Sequence, residues 1–211
     1  MRAALLILPL ALLLTACGGG DGSESSAAGC RQVDAPAPKP DGAVTKPLGA
    51  LVPGTTYALA VETSCGDFEI TLDPKLAPKT VVSLVSLARA GFYDKTTFHR
   101  VVPGFVIQGG DPTGTGSGGP GYSTVDPPPG NAAYTRGVVA MAKTGAEPPG
   151  TAGSQFFVVT EEDAGLTPDY AIVGEVTKGY DTVERIEALG DATTQEPSQP
   201  VVIERVTVRT S

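Results

Sequence analysis

From Tyr57 onward, apolar and polar residues alternate in two short stretches, as expected of strands that bury one face. In residues 57–63 (YALAVET) the large apolar side chains stand at every second position, and the same period returns in residues 68–72 (FEITL). The short segment Ser-Cys-Gly at 64–66 separates the two stretches. The pattern therefore predicts a β-hairpin with one face packed on the core.

Two other stretches change to the period of a helix. After Ala77, apolar residues recur at intervals of three and four; Pro78 suits a first helical turn and Gly91 suits a helix end. Residues 181–189 (DTVERIEAL) have the same spacing, and we expect Asp181 to be the N-cap. The sequence thus predicts two helices.

Six further stretches have the length and composition of short strands. They are residues 97–102, 105–108, 137–142, 155–160, 171–176 and 201–208. Many short strands with only two helices predict a mainly β fold, a barrel or sandwich with helical caps.

The first residues are typical of a targeting segment. Arg2 is followed by an apolar run over residues 3–14, shorter than the roughly 20 residues that span a bilayer. A buried N-terminal helix is the alternative. The sequence Leu-Thr-Ala-Cys at 14–17 resembles the lipobox of bacterial lipoproteins, which implies cleavage before Cys17 and a diacylglycerol on its sulfur. We therefore expect residues 1–16 to be a lipoprotein signal peptide and the mature protein to be lipid-anchored to the bacterial cell membrane, outside the cytoplasm.

The stretch between this segment and the hairpin has no periodicity. Residues 18–29 are rich in Gly and Ser, and residues 35–53 are rich in Pro. Both compositions are typical of flexible or extended linkers. We expect residues 17–54 to be a tether without a core of its own and residues 55–211 to form the domain.

Two cysteines remain once Cys17 is assigned to the lipid. An oxidising compartment favours a disulfide between Cys30 and Cys65, and two unpaired thiols are the alternative. The bridge would attach the tether to the predicted hairpin.

Composition excludes several kinds of site. The chain of 211 residues has a formal net charge of −8, which argues against a nucleic-acid surface. One His and three Cys exclude zinc sites built from three histidines or four cysteines. Residues 114–119 match G-x-G-x-x-G, but prolines follow where dinucleotide binding requires a helix, so a mobile loop is expected there.

One constellation is more specific. Residues 98–111 (FHRVVPGFVIQGGD) place Arg100 and Gln108 near an aromatic residue, and residues 153–159 (GSQFFVV) add another aromatic on a second strand. From these residues alone, Arg100 could serve a function, lie over the core or pair with Asp111.

These stretches resemble the signatures of cyclophilins, which are peptidyl-prolyl cis–trans isomerases. Residues 137–145 (GVVAMAKTG) and 170–186 match in order and spacing, so the likeness covers about residues 57–208. The resemblance implies an eight-stranded antiparallel β-barrel capped by two α-helices. It implies an enzyme that acts on X–Pro bonds of proline-containing polypeptides, with no cofactor and no metal. We expect a monomer with no nucleic-acid partner.

The resemblance also assigns roles to positions of this chain. Arg100, Phe105 and Gln108 would be catalytic, with the arginine aimed at the proline nitrogen. The residues that would bind the peptide are Val106, Ala142, Lys143, Gln155, Phe157, Leu166 and Tyr170, with His99 in support.

The chain departs from the family pattern at the rim of the pocket. Ala164 and Gly165 occupy the stretch where a Trp that donates a hydrogen bond to cyclosporin is often found, so cyclosporin binding does not follow from the resemblance. Val106, Lys143 and Tyr170 replace a common Met, Asn and His. A catalytically weak peptide-binding chaperone or adaptor on the same fold is the alternative function, and it would have no need of Arg100.

Overall fold

The structure, a computed structural model, describes residues 29–42 and 44–211. Over these ranges the chain forms eleven strands and two helices. They are β1 (Tyr57–Thr63), β2 (Gly66–Leu72), α1 (Pro78–Arg89), β3 (Thr96–Thr97), β4 (Arg100–Val102), β5 (Val106–Gly109), β6 (Thr124–Val125), β7 (Val138–Met141), β8 (Thr151–Ala152), β9 (Phe156–Val159), β10 (Ile172–Lys178), α2 (Tyr180–Glu187) and β11 (Val202–Thr210). None of the helices in these ranges is long and apolar enough to cross a membrane.

Nine of these strands form one curled antiparallel sheet in the order β3-β11-β1-β2-β10-β7-β9-β5-β4, and β6 pairs separately with β8. The two edge strands are consecutive in the chain and only Phe98 and His99 separate them, so the sheet must curl until its edges approach each other. Thr97 also forms a bridge to Asp111, just beyond β5. The mainly β fold with two helices is confirmed.

The sheet has one strand more than the eight expected. The stretch predicted as a single strand, residues 97–102, is divided between β3 and β4. β3 pairs with β11 at one edge, whereas β4 pairs with β5 at the other. One continuous strand could not serve both edges of a sheet that does not close completely, so the chain breaks its pairing at Phe98 and His99.

The register of neighbouring strands decides which residues form the core. Ile107 of β5 lies opposite Val101 of β4 and Val158 of β9, and all three side chains are 0% exposed. Because side chains alternate along a strand, the adjacent row, which contains Gln108, points to the other face of the sheet. A slip of one residue would exchange the two rows.

The first helix begins and ends as the sequence predicts. It starts at Pro78, and beyond its end Gly91 adopts a left-handed conformation with φ 66°. This conformation lets the amides of Gly91 and Phe92 donate to carbonyls of the last turn, each at 3.0 Å. Such a pair of bonds closes a helix that ends in glycine.

The prediction for the N-cap of α2 is wrong. Gly179, with φ 71°, occupies the cap, and no side chain caps the helix. Asp181 lies two residues after the cap and forms an ion pair with Arg185 at 2.7 Å. Its carboxylate still lies in the first turn, where the helix dipole favours negative charge.

The Pro-rich segment before β1 is packed on the domain, although its composition is typical of an extended linker. We call residues 29–42 and 44–54 the strap. Cys30 is fully buried and forms the expected disulfide with Cys65. Val44 and Leu51 pack against the main hydrophobic core.

Hydrogen bonds hold the strap along its length. Strap amides donate to domain carbonyls at four places: Arg31 to Ser64 (2.8 Å), Lys39 to Pro112 (2.8 Å), Gly42 to Gly119 (3.1 Å) and Val44 to Pro120 (3.3 Å). In return, the Gly119 amide donates to the carboxylate of Asp41 at 2.8 Å. Prolines cannot donate such bonds, but the residues between them can. The predicted signal peptide, Cys17 and the remainder of the Gly/Ser-rich stretch lie outside the described residues.

Candidate active site

A cavity of about 160 Å³ opens on the outward face of the sheet. Its framework is one cross-strand row, in which Arg100 of β4 lies opposite Gln108 of β5, and Gln108 lies opposite Phe157 of β9. The other residues that line the cavity are Phe105, Val106, Ala142, Lys143, Leu166 and Tyr170. The strand register therefore brings together residues that lie far apart in the sequence.

The floor of this cavity is apolar. Val106 and Phe157 are 2% and 4% exposed and belong to a second hydrophobic cluster, separate from the main core. Leu166 and Tyr170 pack against the same cluster. The cavity thus suits a small apolar ring or side chain, with polar groups at its mouth.

Tyr170 forms one wall and is fixed by two other aromatic residues. Its ring meets Phe157 edge to face, with centroids 5.5 Å apart. The Tyr134 hydroxyl donates to the carbonyl oxygen of Tyr170 at 2.7 Å and accepts from its amide at 3.0 Å. Sequence reasoning missed Tyr134, whose only signal is an aromatic residue just before β7.

Arg100 lies at the mouth of the cavity and is held by two side-chain amides. Its Nε donates to Oε1 of Gln195 at 2.8 Å, and its Nη1 donates to Oε1 of Gln108 at 3.3 Å. The guanidinium carbon lies 5.8 Å from the centre of the Phe105 ring. Within the described ranges, neither a carboxylate ion pair nor a hydrogen bond from Nη2 is found.

The Arg100 guanidinium therefore keeps an uncompensated charge. Burial lowers its pKa from the ordinary value, but arginine stays protonated throughout the physiological range. The alternative that Arg100 pairs with Asp111 is wrong. Asp111 is 0% exposed and accepts its hydrogen bonds from its own loop.

A chain of amides continues from Arg100 toward that loop. Nε2 of Gln108 donates to Oε1 of Gln155 at 3.0 Å. Nε2 of Gln155 then donates to the carbonyls of Gly116 and Gly118, at 3.0 and 2.9 Å. The orientation of each carboxamide is thereby fixed by its neighbour.

Gln155 lines a second cavity of about 320 Å³ beside the first. Gln108, Ala142 and Lys143 line both cavities and form the boundary between them. An extended peptide that placed one residue in the apolar cavity could continue across this boundary. Gln155 is accordingly placed in the neighbouring groove rather than in the apolar cavity.

The glycine-rich loop beside this groove is tied down by Asp111, contrary to the expectation of a mobile loop. Its carboxylate accepts from the amides of Thr113, Gly116 and Gly118 at 2.7, 2.6 and 3.1 Å. Burial acts to raise the pKa of Asp111, but these hydrogen bonds outweigh it and hold the pKa below its usual value. A Cβ on Gly118 would lie 2.3 Å from Oδ1 of Asp111, so the loop requires glycine there.

Lys143 lines the cavity as predicted, but its charge is already compensated. Its ammonium forms an ion pair with Asp169 at 2.6 Å and donates to the carbonyls of Glu147 and Thr144 at 3.0 and 3.2 Å. Its side chain is 2% exposed. All three N–H donors therefore have protein partners, and Arg100 is left as the uncompensated cation of the cavity.

His99 lines neither cavity. As the neighbour of Arg100 in the chain it points the other way, and its ring lies against the loop near Gly116. Both ring nitrogens are shielded from solvent, and burial lowers the pKa of the imidazole. His99 therefore lies outside both cavities, where its ring packs against the glycine-rich loop.

Residues 58–208 match the protein family described as "Cyclophilin type peptidyl-prolyl cis-trans isomerase/CLD". The chain belongs to this cyclophilin family. It is 42% identical over 169 residues to peptidyl-prolyl cis-trans isomerase B of Streptomyces anulatus, a match that covers 71% of this chain and 95% of the relative. It is 38% identical over 174 residues to peptidyl-prolyl cis-trans isomerase A of Mycobacterium tuberculosis, covering 74% and 94% of the two chains.

Solved cyclophilin structures agree with this assignment. A Cryptosporidium parvum cyclophilin matches with a TM-score of 0.67 and 32% identity, over 74% of this chain and 99% of the other. The same protein in the presence of the dipeptide Ala-Pro matches with a TM-score of 0.66 and 31% identity, over 73% and 99%. This cyclophilin is therefore a peptidyl-prolyl cis–trans isomerase, and the strap lies outside the part that matches its family.

Proposed function

We propose that this cyclophilin accelerates X–Pro rotation without covalent chemistry, and that Arg100 stabilises the twisted amide. The observation that carries the proposal is the uncompensated guanidinium, held by Gln108 and Gln195 at the mouth of an apolar cavity. Proline-containing polypeptides are the proposed substrates, with the proline ring in the cavity.

The reaction requires a group that binds the proline nitrogen more tightly in the twisted transition state than in the planar amide. Rotation about the peptide bond has a barrier of about 18–20 kcal/mol, because resonance is lost as the bond twists. The proline nitrogen regains a lone pair in the twisted state, which a fixed N–H donor can bind. Since the planar amide offers no such lone pair, Arg100 would bind the transition state more tightly than the ground state, and that difference is catalysis.

The remaining residues would hold the peptide in place. Phe157 and Tyr170 would enclose the proline ring, because they form the floor and wall of the cavity. Gln108 uses one lone pair for Arg100 and one N–H for Gln155, so each end of its amide keeps capacity for a peptide backbone. Orienting the peptide in this way would align its proline nitrogen with the guanidinium.

The test compares turnover with binding in Arg100→Ala and Arg100→Lys. We expect kcat/KM for a short X–Pro peptide to fall roughly 100-fold in Arg100→Ala, the size typical for loss of one preorganised donor. Peptide affinity, measured separately by titration, should fall only a few-fold. Arg100→Lys keeps the charge but lacks the planar fork that Gln108 and Gln195 hold, so most of the loss should remain.

Three outcomes would overturn the proposal. Equal losses in turnover and affinity would mean that Arg100 binds substrate and transition state alike. Unchanged turnover in a folded Arg100→Ala variant would remove Arg100 from the mechanism. Absence of acceleration by the native protein itself would favour the peptide-binding chaperone or adaptor. The assay needs low temperature, because uncatalysed isomerisation accelerates steeply on heating.

We also propose that the protein works outside the cytoplasm, anchored by lipid on Cys17. Two features support this location: the lipobox-like sequence at 14–17 and the Cys30–Cys65 disulfide, which is characteristic of oxidising compartments. The anchor has to come from the acyl chains, because a chain with a net charge of −8 gains nothing from anionic lipid.

A further inference from the structure

We infer that Gln195 is a positioning residue, which fixes the guanidinium of Arg100 in the plane required for catalysis. Gln195 lies between α2 and β11, 95 residues from Arg100 in the chain. Its Oε1 accepts from Nε of Arg100 at 2.8 Å, the shorter of the two side-chain bonds to that guanidinium. The inference rests on the proposed function of Arg100.

The backbone of Gln195 is held in an unfavourable conformation. Its φ of 61° lies in the left-handed region, which residues with a Cβ seldom adopt. Within residues 29–42 and 44–211, Lys95 is the one other non-glycine residue with positive φ. Such strain persists only where the surrounding structure enforces it, and it gathers at functional sites.

Bonds on both sides enforce this conformation. The carbonyl of Gln195 accepts from the amide of Val101, the residue directly after Arg100, at 2.8 Å. The amide of Gln195 donates to the carbonyl of Asp191 at 2.7 Å. The Gln195 backbone is thus attached to the same strand as the arginine that its side chain binds.

The loop that carries Gln195 has its own internal support. The Asp191 carboxylate accepts from the amides of Thr193 and Thr194 at 2.7 and 2.9 Å. The Ser198 amide donates to the carbonyl of Leu189 at 2.7 Å, which closes the base of the loop. A preorganised support of this kind limits the freedom that Arg100 would otherwise lose on reaching the transition state.

Two bonds at different nitrogens determine the orientation of a planar group. Gln108 alone, through Nη1, would leave Arg100 free to turn about that bond, whereas the second bond at Nε removes this rotation. Both partners are neutral carboxamides. They therefore orient the guanidinium without compensating its charge, as a carboxylate would.

The test uses three variants that separate side-chain length, charge and backbone strain. Gln195→Gly removes the amide and relieves the left-handed strain. Gln195→Asn tolerates the left-handed conformation but is one methylene too short to reach Nε. Gln195→Glu keeps the length and introduces a charge opposite Arg100. Lys95→Gly is the matched control, an exposed residue with φ 58° away from both cavities.

We expect kcat/KM for an X–Pro peptide to fall about tenfold in Gln195→Gly and in Gln195→Asn, with KM nearly unchanged. For Gln195→Glu, kcat/KM should fall less than for these two variants but stay below that of the native protein. The midpoint of thermal unfolding should stay within a few degrees in Gln195→Gly, because relief of strain offsets the added chain entropy. Lys95→Gly should leave turnover unchanged.

The outcomes distinguish this inference from the proposed function. If Arg100→Ala reduces turnover and the Gln195 variants do not, Gln195 is not a positioning residue and the function of Arg100 stands. If Arg100→Ala leaves turnover intact, the proposed function itself fails. If Gln195→Gly lowers the residual turnover of Arg100→Ala by a further tenfold, Gln195 acts independently of Arg100, which also overturns the inference.

Discussion

Removal of the Cys30–Cys65 disulfide should lower the stability of the domain without changing its activity. The bridge closes a loop over a sequence separation of 35 residues. For a loop of 35 residues the chain-entropy relation gives about 13 cal/mol/K, or about 4 kcal/mol at 25 °C. This figure applies to the unfolded chain, which the bridge restrains.

The free energy that docks the strap on the folded domain sets an upper limit to that loss of stability. Without the bridge, the strap could detach while the sheet stays folded, and the loss would then be no larger than the free energy that docks the strap. Four backbone hydrogen bonds hold it, at about 1 kcal/mol each, together with the contacts of Val44 and Leu51. Because the two figures are similar, we expect a loss of about 2–4 kcal/mol.

The assay is urea unfolding of the Cys30→Ala/Cys65→Ala double variant beside the native protein. Alanine avoids the buried, unsatisfied hydroxyls that serine would introduce at two sites with 0% and 3% exposure. Native protein kept reduced is the control for the substitutions themselves. Turnover at low temperature should be unchanged, since neither cysteine lines a cavity.

Two results would refute this reasoning. A loss below about 1 kcal/mol would mean that the strap contributes neither docking energy nor restraint of the unfolded chain. Reduced turnover in a variant that is still folded would mean that the strap acts on the site, through its contacts with the glycine-rich loop at Gly119.

Two further predictions concern Asp111 and Cys17. The folded-state pKa of Asp111 lies below its usual value, so its ionised form contributes stability above about pH 4, and this contribution is lost as pH falls through the folded pKa. Asp111→Asn should therefore be less stable at pH 7 and lose less on acidification, as followed by circular dichroism; equal acid dependence would contradict this. Full-length protein expressed in bacteria with a labelled fatty acid should incorporate label, and Cys17→Ser should not; label retained in Cys17→Ser would exclude this anchor.

The sequence predicts best what depends on local pattern. Arg100, Gln108 and Phe157 lie on stretches that the sequence pattern predicts as strands, and the register of the folded sheet places them in one row. Alternation fixes only which face a residue occupies. It does not determine which strands pair with each other, so it does not predict the break between β3 and β4 at Phe98 and His99.

The remaining features depend on contacts that no local period records. Gln195 lies in a loop that contains Asp, Thr and Pro residues. Its proposed role depends on a hydrogen bond to Arg100, which lies 95 residues away in the chain. The strap has the composition of a linker, yet Lys39 and Gly42 between its prolines find carbonyls on the domain. Composition describes the average behaviour of such a segment and leaves out the few residues that dock.

The strap determines where a shortened version of this protein can begin. The family match begins at residue 58, whereas the folded unit includes Cys30. A shortened protein that began at the family boundary would leave Cys65 as an unpaired thiol, able to join two molecules through an intermolecular disulfide. It would also expose the core surface that Val44 and Leu51 cover, and so promote aggregation. A soluble version meant to represent the native enzyme should therefore start before Gly29.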